Sequence, residues 1–494
     1  MKFRLLLLLA LLPAFADAQT LLQAARSGDS PTALQLLEAG ADARAQSSDG
    51  TTVLHWAAHN GDLALVKRLI KARAVVTARN DYGSTPMQEA ATRGDAAVLA
   101  ALLKAGADVD SPNDEGETAL MAVARTGQVD AARVLIKARA NINAAESWRG
   151  QTALMWAAAQ RNPAMVQLLV KAGAKVDLVS SVREWERKVT AEPRPQNRPP
   201  GGFTALLLAA REGCADCAAA LVKGGADINL TNPENITPLL MAILNARFDT
   251  AKVLIEAGAD VNRWDVWGRA PLYSAIDYNT TPRGGRPDRP SSDVATPLEI
   301  ATLLLDRRAN PNMQLKLFPP YRSLGQDRGG DALLTTGSTP LLRAAKACDV
   351  PATQLLLARG ALVDLKNSLD ATPLLAAAGT NWAITDIRGR FRNEQQCIDT
   401  AKLLLDAGAD INAVNQRGQS VLHTAAQLDL KEFVRFMGHR GARLDIKDRA
   451  GVTALDIAEG RAGGASRPGA SGPEKHPEVA AVLHELMAPA KSPP

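Results

Sequence analysis

One motif recurs about every 33 residues along most of this 494-residue chain. It opens with Thr or Ser in all copies but one and continues into a short apolar stretch that usually contains paired Ala residues. A fixed period of this length indicates a repeat array rather than one hydrophobic core, because a single unit cannot bury its own apolar face and must stack on its neighbours. The motif begins at Thr52, Thr85, Thr118, Thr152, Thr204, Thr237, Ala270, Thr339, Thr372, Ser420 and Thr453.

A second landmark, Gly-Ala-Asp, keeps the same period and therefore supports the repeat. Complete copies begin at Gly40, Gly106, Gly225, Gly258 and Gly408, and degenerate copies begin at Arg73, Arg139, Gly173, Arg308, Gly360 and Gly441.

Each unit is predicted to be a helix-turn-helix followed by a hairpin-like turn. Thr85 can cap a first helix and Pro86 fits its first turn. Gly94 turns the chain, and Gly106 supplies the left-handed residue that ends a second helix. Hydrophobic residues make up 46% of the chain but aromatic residues only 4%, which favours closely packed helices over a large β-domain.

The segment Thr52-Val53-Leu54-His55-Trp56-Ala57-Ala58 resembles the ankyrin-repeat family. The resemblance covers nearly all of the chain after its N-terminal segment. It implies an all-α, ankyrin-type solenoid of about twelve helix-turn-helix units with hairpin-like loops. It also implies that another protein is bound on the concave surface lined by hairpin tips and first helices. Most units replace the motif His with Met, Leu, Gln or Tyr, as at Met121, Leu207 and Tyr273, and we expect this to remove a polar contact.

Deviations from the period locate four insertions. They are expected near residues 179–202, 279–295, 315–337 and 379–396, within a single array over 19–487 that precedes a disordered tail at 488–494. Two interpretations stay open: the insertions are tolerated surface loops, or they carry function.

Residues 1–18 are predicted to be a signal peptide. Lys2 and Arg4 precede the apolar run 5–12, and Ala16-Asp17-Ala18 fits a cleavage site before Gln19. The run is short for a membrane anchor, which is the alternative. We therefore expect an exported protein, periplasmic or secreted, with no membrane span after cleavage. The abundance of Ala, Gly and Arg is typical of a GC-rich bacterium.

The sequence contains no Gly-x-Ser-x-Gly elbow, phosphate loop, His-Glu-x-x-His motif or kinase motif set, so we expect no enzyme and no cofactor or metal. His55 and His423 occupy the structural His position of the repeat. A net charge of +5 is mild for this length and does not indicate nucleic acid. We expect a monomeric protein-binding scaffold; the alternative is an enzyme or redox protein with its chemistry in the insertions or at a Cys pair.

The four cysteines form two candidate pairs. Cys214 and Cys217 could form a local disulfide, a redox-active pair or half of a metal site. Cys348 and Cys397 lie in adjacent units, which stack about 10 Å apart, beyond the usual Cα limit of about 7 Å for a disulfide. Because the insertion before Cys397 could shorten this distance, the second pairing stays open.

Partner-binding candidates are aromatic and Arg residues in the hairpin tips and in the loop 315–337, because such residues dominate binding hot spots. For Trp264 and Trp267 packing on a neighbouring repeat is an equal alternative, and Trp56 and Trp156 are expected to be half-buried. The candidates are Tyr82, Trp148, Arg149, Trp264, Trp267, Phe318, Tyr321 and Arg417.

Overall fold

The computed structural model describes residues 20–182, 201–280, 293–317, 333–379, 393–461 and 475–488. Over these residues the chain consists of paired helices and turns, with extended pairing limited to three isolated bridges. The all-α ankyrin-type fold class is thereby confirmed. We number the repeats 1 to 12, each with a first and a second helix, and call the turn that leads into a first helix the tip of that repeat.

The first compact unit contains the described residues up to 182 together with 201–233, which form repeats 1 to 6. Residues 20–27 are the described part of the first helix of repeat 1. The other helices, in chain order, are Ser30–Glu38, Val53–His59, Leu63–Lys71, Pro86–Arg93, Ala96–Lys104, Ala119–Thr126, Val129–Lys137, Ala153–Ala159, Pro163–Lys171, Ala205–Glu212 and Ala215–Lys223.

The second compact unit contains the described residues from 234 onward, which form repeats 7 to 12. Its helices are Pro238–Leu244, Phe248–Glu256, Pro271–Thr280, Pro297–Asp306, Pro340–Lys346, Val350–Ala358, Pro373–Ala377, Glu394–Asp406, Val421–Gln427, Lys431–His439, Ala454–Ala458 and Pro477–Met487.

Repeat 3 shows why these residues form two short helices. Thr85 is extended, and its side chain accepts the Gln88 N–H while the Gln88 side chain accepts the Thr85 N–H. This reciprocal cap satisfies two donors that a helix start would leave unpaired. Gly94 ends the helix at φ +80°, and the Asp95 carboxylate then caps the second helix.

Consecutive tips stack closely. Gly83 has φ +69°, and a Cβ there would lie 2.2 Å from Oδ1 and 2.7 Å from the backbone N of Asp114 in the next tip. No side chain fits this gap, so glycine is required both by conformation and by space.

Most of each expected insertion lies outside the described residues, as do the expected signal peptide and residues 489–494. The described ends of the first insertion are paired: the Ser180 N–H donates to the Phe203 carbonyl at 2.9 Å, and the Phe203 N–H donates to the Ser180 hydroxyl at 2.9 Å. The repeats on both sides of this insertion therefore keep their regular geometry. Among the helices described, none combines the length and apolar character needed to cross a membrane.

Candidate functional site

Paired side chains connect the first helices of repeats 1 to 3. The Arg26 guanidinium lies 5.5 Å from the centre of the Trp56 ring, and His59 meets the same ring edge-on. Nδ1 of His59 lies 2.9 Å from Oε2 of Glu89 on the next first helix. The other Glu89 oxygen accepts the Ser84 hydroxyl at 2.7 Å. This face therefore presents aromatic rings with cations stacked on them.

A second group of this kind spans repeats 4 to 6. The Arg125 guanidinium lies 5.6 Å from the Trp156 ring centre and 3.2 Å from the Glu117 carboxylate. Burial raises the pKa of Glu117, although the charge of Arg125 opposes this shift. On the first helix of repeat 6, Arg211 lies 5.3 Å from the Phe203 ring centre.

The pairs that join successive repeats, Arg26 with Trp56, His59 with Glu89 and Arg125 with Trp156, follow one rule. A side chain in the last turn of one first helix meets a side chain in the middle of the next first helix, 30 residues later for His59 and Glu89. In the second unit the ion pair of Asp277 with Arg343, 2.7 Å long, follows the same rule. Our sequence reasoning missed the members of these pairs other than the two Trp. An alignment of the repeats would have shown these residues at two recurring positions, one in the last turn and one in the middle of the first helix.

Tyr82 is 71% exposed at the tip of repeat 3, and a partner-binding residue must be accessible in this way. Oδ1 of Asn80 accepts the Tyr82 N–H at 3.1 Å and the Ser84 N–H at 2.8 Å. The backbone under the phenol ring is therefore held before any partner arrives, which lowers the entropy lost on binding.

Trp148 is 60% exposed at the tip of repeat 5, where the period is one residue longer than elsewhere. A buried Glu146 replaces the usual Asn or Asp, and its longer side chain accepts the backbone N–H groups of Trp148, Arg149 and Gln151. The exposed Arg149 guanidinium stacks 4.3 Å from the Trp148 ring centre. The extra residue thus places an exposed Trp–Arg pair on a fixed backbone.

The two tryptophans at the tip of repeat 8, in the second unit, differ in how far their side chains are exposed. Trp264 is 43% exposed, and Lys316 lies over its ring. Trp267 is 1% exposed, so its placement as an exposed partner-binding residue is wrong. The longer connection that follows repeat 8 lays residues 316 and 317 across this tip, and both donate N–H groups to the Trp267 carbonyl. Trp267 therefore follows the alternative interpretation, in which its side chain packs inside the protein.

Of the three remaining partner-binding candidates, the described residues include only one. Arg417 is exposed at the tip of repeat 11 in the second unit. Phe318 and Tyr321 lie outside the described residues. Beside them Leu317 is exposed, whereas Leu315 and Leu333 are buried, so the described ends of this insertion fold against the repeats.

The two motif histidines have structural contacts. Nδ1 of His55 accepts the Thr52 N–H, and its Nε2 donates to the Ser84 carbonyl of the next tip at 3.0 Å. His423 makes the same two contacts in repeats 11 and 12. Burial lowers the pKa of both imidazoles, and the hydrogen bond to the carbonyl opposes this only in part.

Acidification should therefore destabilise the protein through these histidines. The unfolded state binds their protons more tightly, so stability is complete above an unfolded pKa of about 6.5 and falls below it, by at most about 1.4 kcal/mol per pH unit for each imidazole. Gln88 makes equivalent bonds in repeat 3, including one to the Glu117 carbonyl at 2.7 Å, so Gln keeps the contact that we expected to be lost.

The measurement is urea unfolding between pH 7 and 5.5 for the wild type and for His55→Gln/His423→Gln. The double variant should keep the stability at pH 7 and lose most of the slope. An equal slope in both proteins would contradict the assignment.

Cys214 and Cys217 are joined at the start of the second helix of repeat 6, with Cα atoms 5.1 Å apart. Cys348 and Cys397 are also joined, and their Cα atoms lie 4.8 Å apart. Our estimate of about 10 Å from helix spacing is wrong for this pair, because the inter-helix turn that holds Cys348 approaches the first turn of the helix that holds Cys397 more closely than helix axes approach each other. The same two positions face each other in repeats 2 and 3, where a Cβ on Gly61 would lie 3.1 Å from Oδ2 of Asp95.

In the part of the chain that the structure describes, no three His, Cys, Asp or Glu side chains come close enough together to hold a metal ion. What the described residues offer is a surface of aromatic side chains and cations on rigid turns and helices.

Comparison with known proteins agrees with this architecture. The family model for ankyrin repeats in three copies matches residues 21–113, 90–180, 189–265 and 206–315, which together make up more than half of the chain. The chain belongs to the ankyrin-repeat family. Over 122 residues it is 31% identical to the Transient receptor potential cation channel subfamily A member 1 homolog of Caenorhabditis elegans. That match covers 25% of this chain and 9% of the relative, so it concerns a small part of the relative's length.

Proposed function

We propose that this chain is an exported, non-enzymatic scaffold that binds another protein on the tips and first helices of its first unit. Ankyrin repeats generally mediate protein–protein interaction. The observation that carries the proposal is the pair of exposed aromatic side chains, Tyr82 and Trp148, on tips whose backbones are already fixed. Rigid aromatic side chains are typical binding anchors.

The partner segment is proposed to be acidic and partly apolar. Arg26 and Arg149 each lie over an indole ring, and neither forms an ion pair within the described part of the chain. A carboxylate could approach either guanidinium while an apolar side chain covers the ring beside it.

Export and a bacterial source remain part of this proposal. The N-terminal apolar segment supports export, and so does the pairing of all four cysteines, since disulfides persist in oxidising compartments. We expect a monomer on its own. The alternative of an enzyme based on the insertions would rest on residues outside those described.

Affinity capture from the exported fraction of the source organism, followed by titration of the captured protein, tests the proposal. Tyr82→Ala/Trp148→Ala should weaken binding by about 2 kcal/mol or more, about 30-fold in Kd, while melting stays unchanged. The matched control is Leu362→Ala, which removes a similarly exposed apolar side chain (56%) from the second unit.

Two results together would contradict the proposed surface. The aromatic double variant would bind the partner as tightly as the wild type, and the partner would protect only the second helices from hydrogen exchange. The intact mass of the captured chain reports on export, since cleavage before Gln19 should remove residues 1–18.

A further inference from the structure

The cysteines occupy defined positions in the repeat. Cys214 stands eleven residues before Gly225, at the position that begins a second helix. In four other repeats this position holds a carboxylate that caps the helix. The equivalent capping residues are Asp29, Asp62, Asp95 and Asp349.

Cys214 takes over this capping role. Its Sγ accepts the backbone N–H of Cys217 at 3.3 Å, at the N-terminus of the nine-residue helix Ala215–Lys223. A helix N-terminus stabilises a negative charge through its free N–H groups and its dipole. When the bond to Cys217 is open, a Cys214 thiolate therefore occupies the position that a capping carboxylate occupies in four other repeats.

Cys397 provides an internal comparison. It occupies the same repeat position, eleven residues before Gly408. Its helix, Glu394–Asp406, begins one turn earlier and is capped by Asn393, so Cys397 lies inside the helix. A thiolate at Cys397 gains no such stabilisation, although the position in the repeat is identical.

The two disulfides also constrain the chain differently. Cys214 and Cys217 are three residues apart, whereas Cys348 and Cys397 are 49 residues apart and connect two repeats. The stabilisation that a disulfide provides grows with the loop it closes. Opening the local bond therefore removes little restraint from the fold.

We propose that Cys214 and Cys217 form a redox-active disulfide that accepts two electrons from the dithiol of another protein, while Cys348–Cys397 is structural. The exchange consumes one disulfide per chain without turnover, so it adds to the binding function without making the scaffold an enzyme, and it does not depend on the proposed surface. Cys214 is 6% exposed and Cys217 is fully buried, so Cys214 is the more accessible of the two sulfur-bearing residues and the one that we expect an incoming thiolate to attack.

The exchange proceeds in two steps. A thiolate of the partner attacks Sγ of Cys214, the bond to Cys217 breaks, and Cys217 leaves as a thiolate that takes up a proton. The second partner thiol loses its proton and attacks the partner sulfur of the mixed disulfide. Cys214 then leaves as a thiolate at the helix N-terminus. The partner is oxidised to a disulfide, and two electrons pass to Cys214 and Cys217.

The first experiment equilibrates the folded, unmodified protein with mixtures of reduced and oxidised glutathione, followed by alkylation and mass spectrometry. Cys214–Cys217 should be half-reduced at a ratio [GSH]²/[GSSG] at least about tenfold lower than Cys348–Cys397. Reduction of both pairs over the same range would overturn the proposal.

The second experiment runs the exchange in reverse. Its probe is a peptide whose two cysteines are joined in a disulfide, because a free Cys214 thiolate forms a mixed disulfide only by attacking a sulfur that is already oxidised and releasing the peptide's other cysteine as a thiolate. Cys217→Ser should trap a mixed disulfide between the peptide and Cys214. Cys214→Asp, which introduces the capping residue of four other repeats, should fold at least as stably as Cys217→Ser and form no adduct. A Cys217→Ser protein that melts normally yet traps no peptide would also overturn the proposal. Should that variant not fold, the glutathione titration decides on unmodified protein.

Discussion

Trp267→Ala should lower the free energy of unfolding of the second unit by about 3–5 kcal/mol. The indole is 1% exposed, and the Arg269 guanidinium lies 4.9 Å from its ring centre. Arg269 forms an ion pair with Asp265, and both side chains are almost fully buried. Truncation would leave a cavity beside this pair and admit water to it, so the loss of packing adds to a loss of electrostatic stabilisation.

Trp264→Ala is the matched control, because it removes the same side chain from the same tip. Since Trp264 is 43% exposed, its loss should cost under about 1 kcal/mol. Urea unfolding followed by circular dichroism measures both values. Equal destabilisation by the two substitutions would contradict the burial of Trp267.

Removal of the Cys348–Cys397 disulfide should cost about 4 kcal/mol. The bond closes a loop of 49 residues, and the chain entropy released in the unfolded state sets this magnitude. The effect should appear in urea unfolding of Cys348→Gly/Cys397→Ala under oxidising conditions. Loss of the local Cys214–Cys217 bond should cost under about 2 kcal/mol, because its loop is short.

The choice of glycine at position 348 has a physical reason. Cys348 has φ +50°, in the left-handed region, where most other inter-helix turns hold glycine. Cys348→Ser/Cys397→Ala keeps this unfavourable backbone and should be about 1 kcal/mol less stable than the glycine variant. A wild type that is equally stable with and without reductant would contradict the role of the disulfide.

Part of the candidate surface could be predicted from sequence. Tyr82 and Trp148 were identified because each is an aromatic residue in a turn between two clear helix signals. Trp267 met the same description but is buried. The difference depends on residues 316 and 317, about 50 positions away, which lie across its tip because the next connection is longer. No local pattern reports such a contact.

The fold itself was determined by local rules. Thr at a helix start, glycine in a left-handed turn and apolar side chains spaced along each short helix act within one repeat, so the period alone specified the architecture. Contacts between repeats were decided by the tertiary structure. Examples are Arg26 on Trp56, His59 with Glu89, and Cys348 bonded to Cys397. These contacts depend on how closely neighbouring turns and helices approach once stacked, and that distance is a property of the packed array that no single repeat contains.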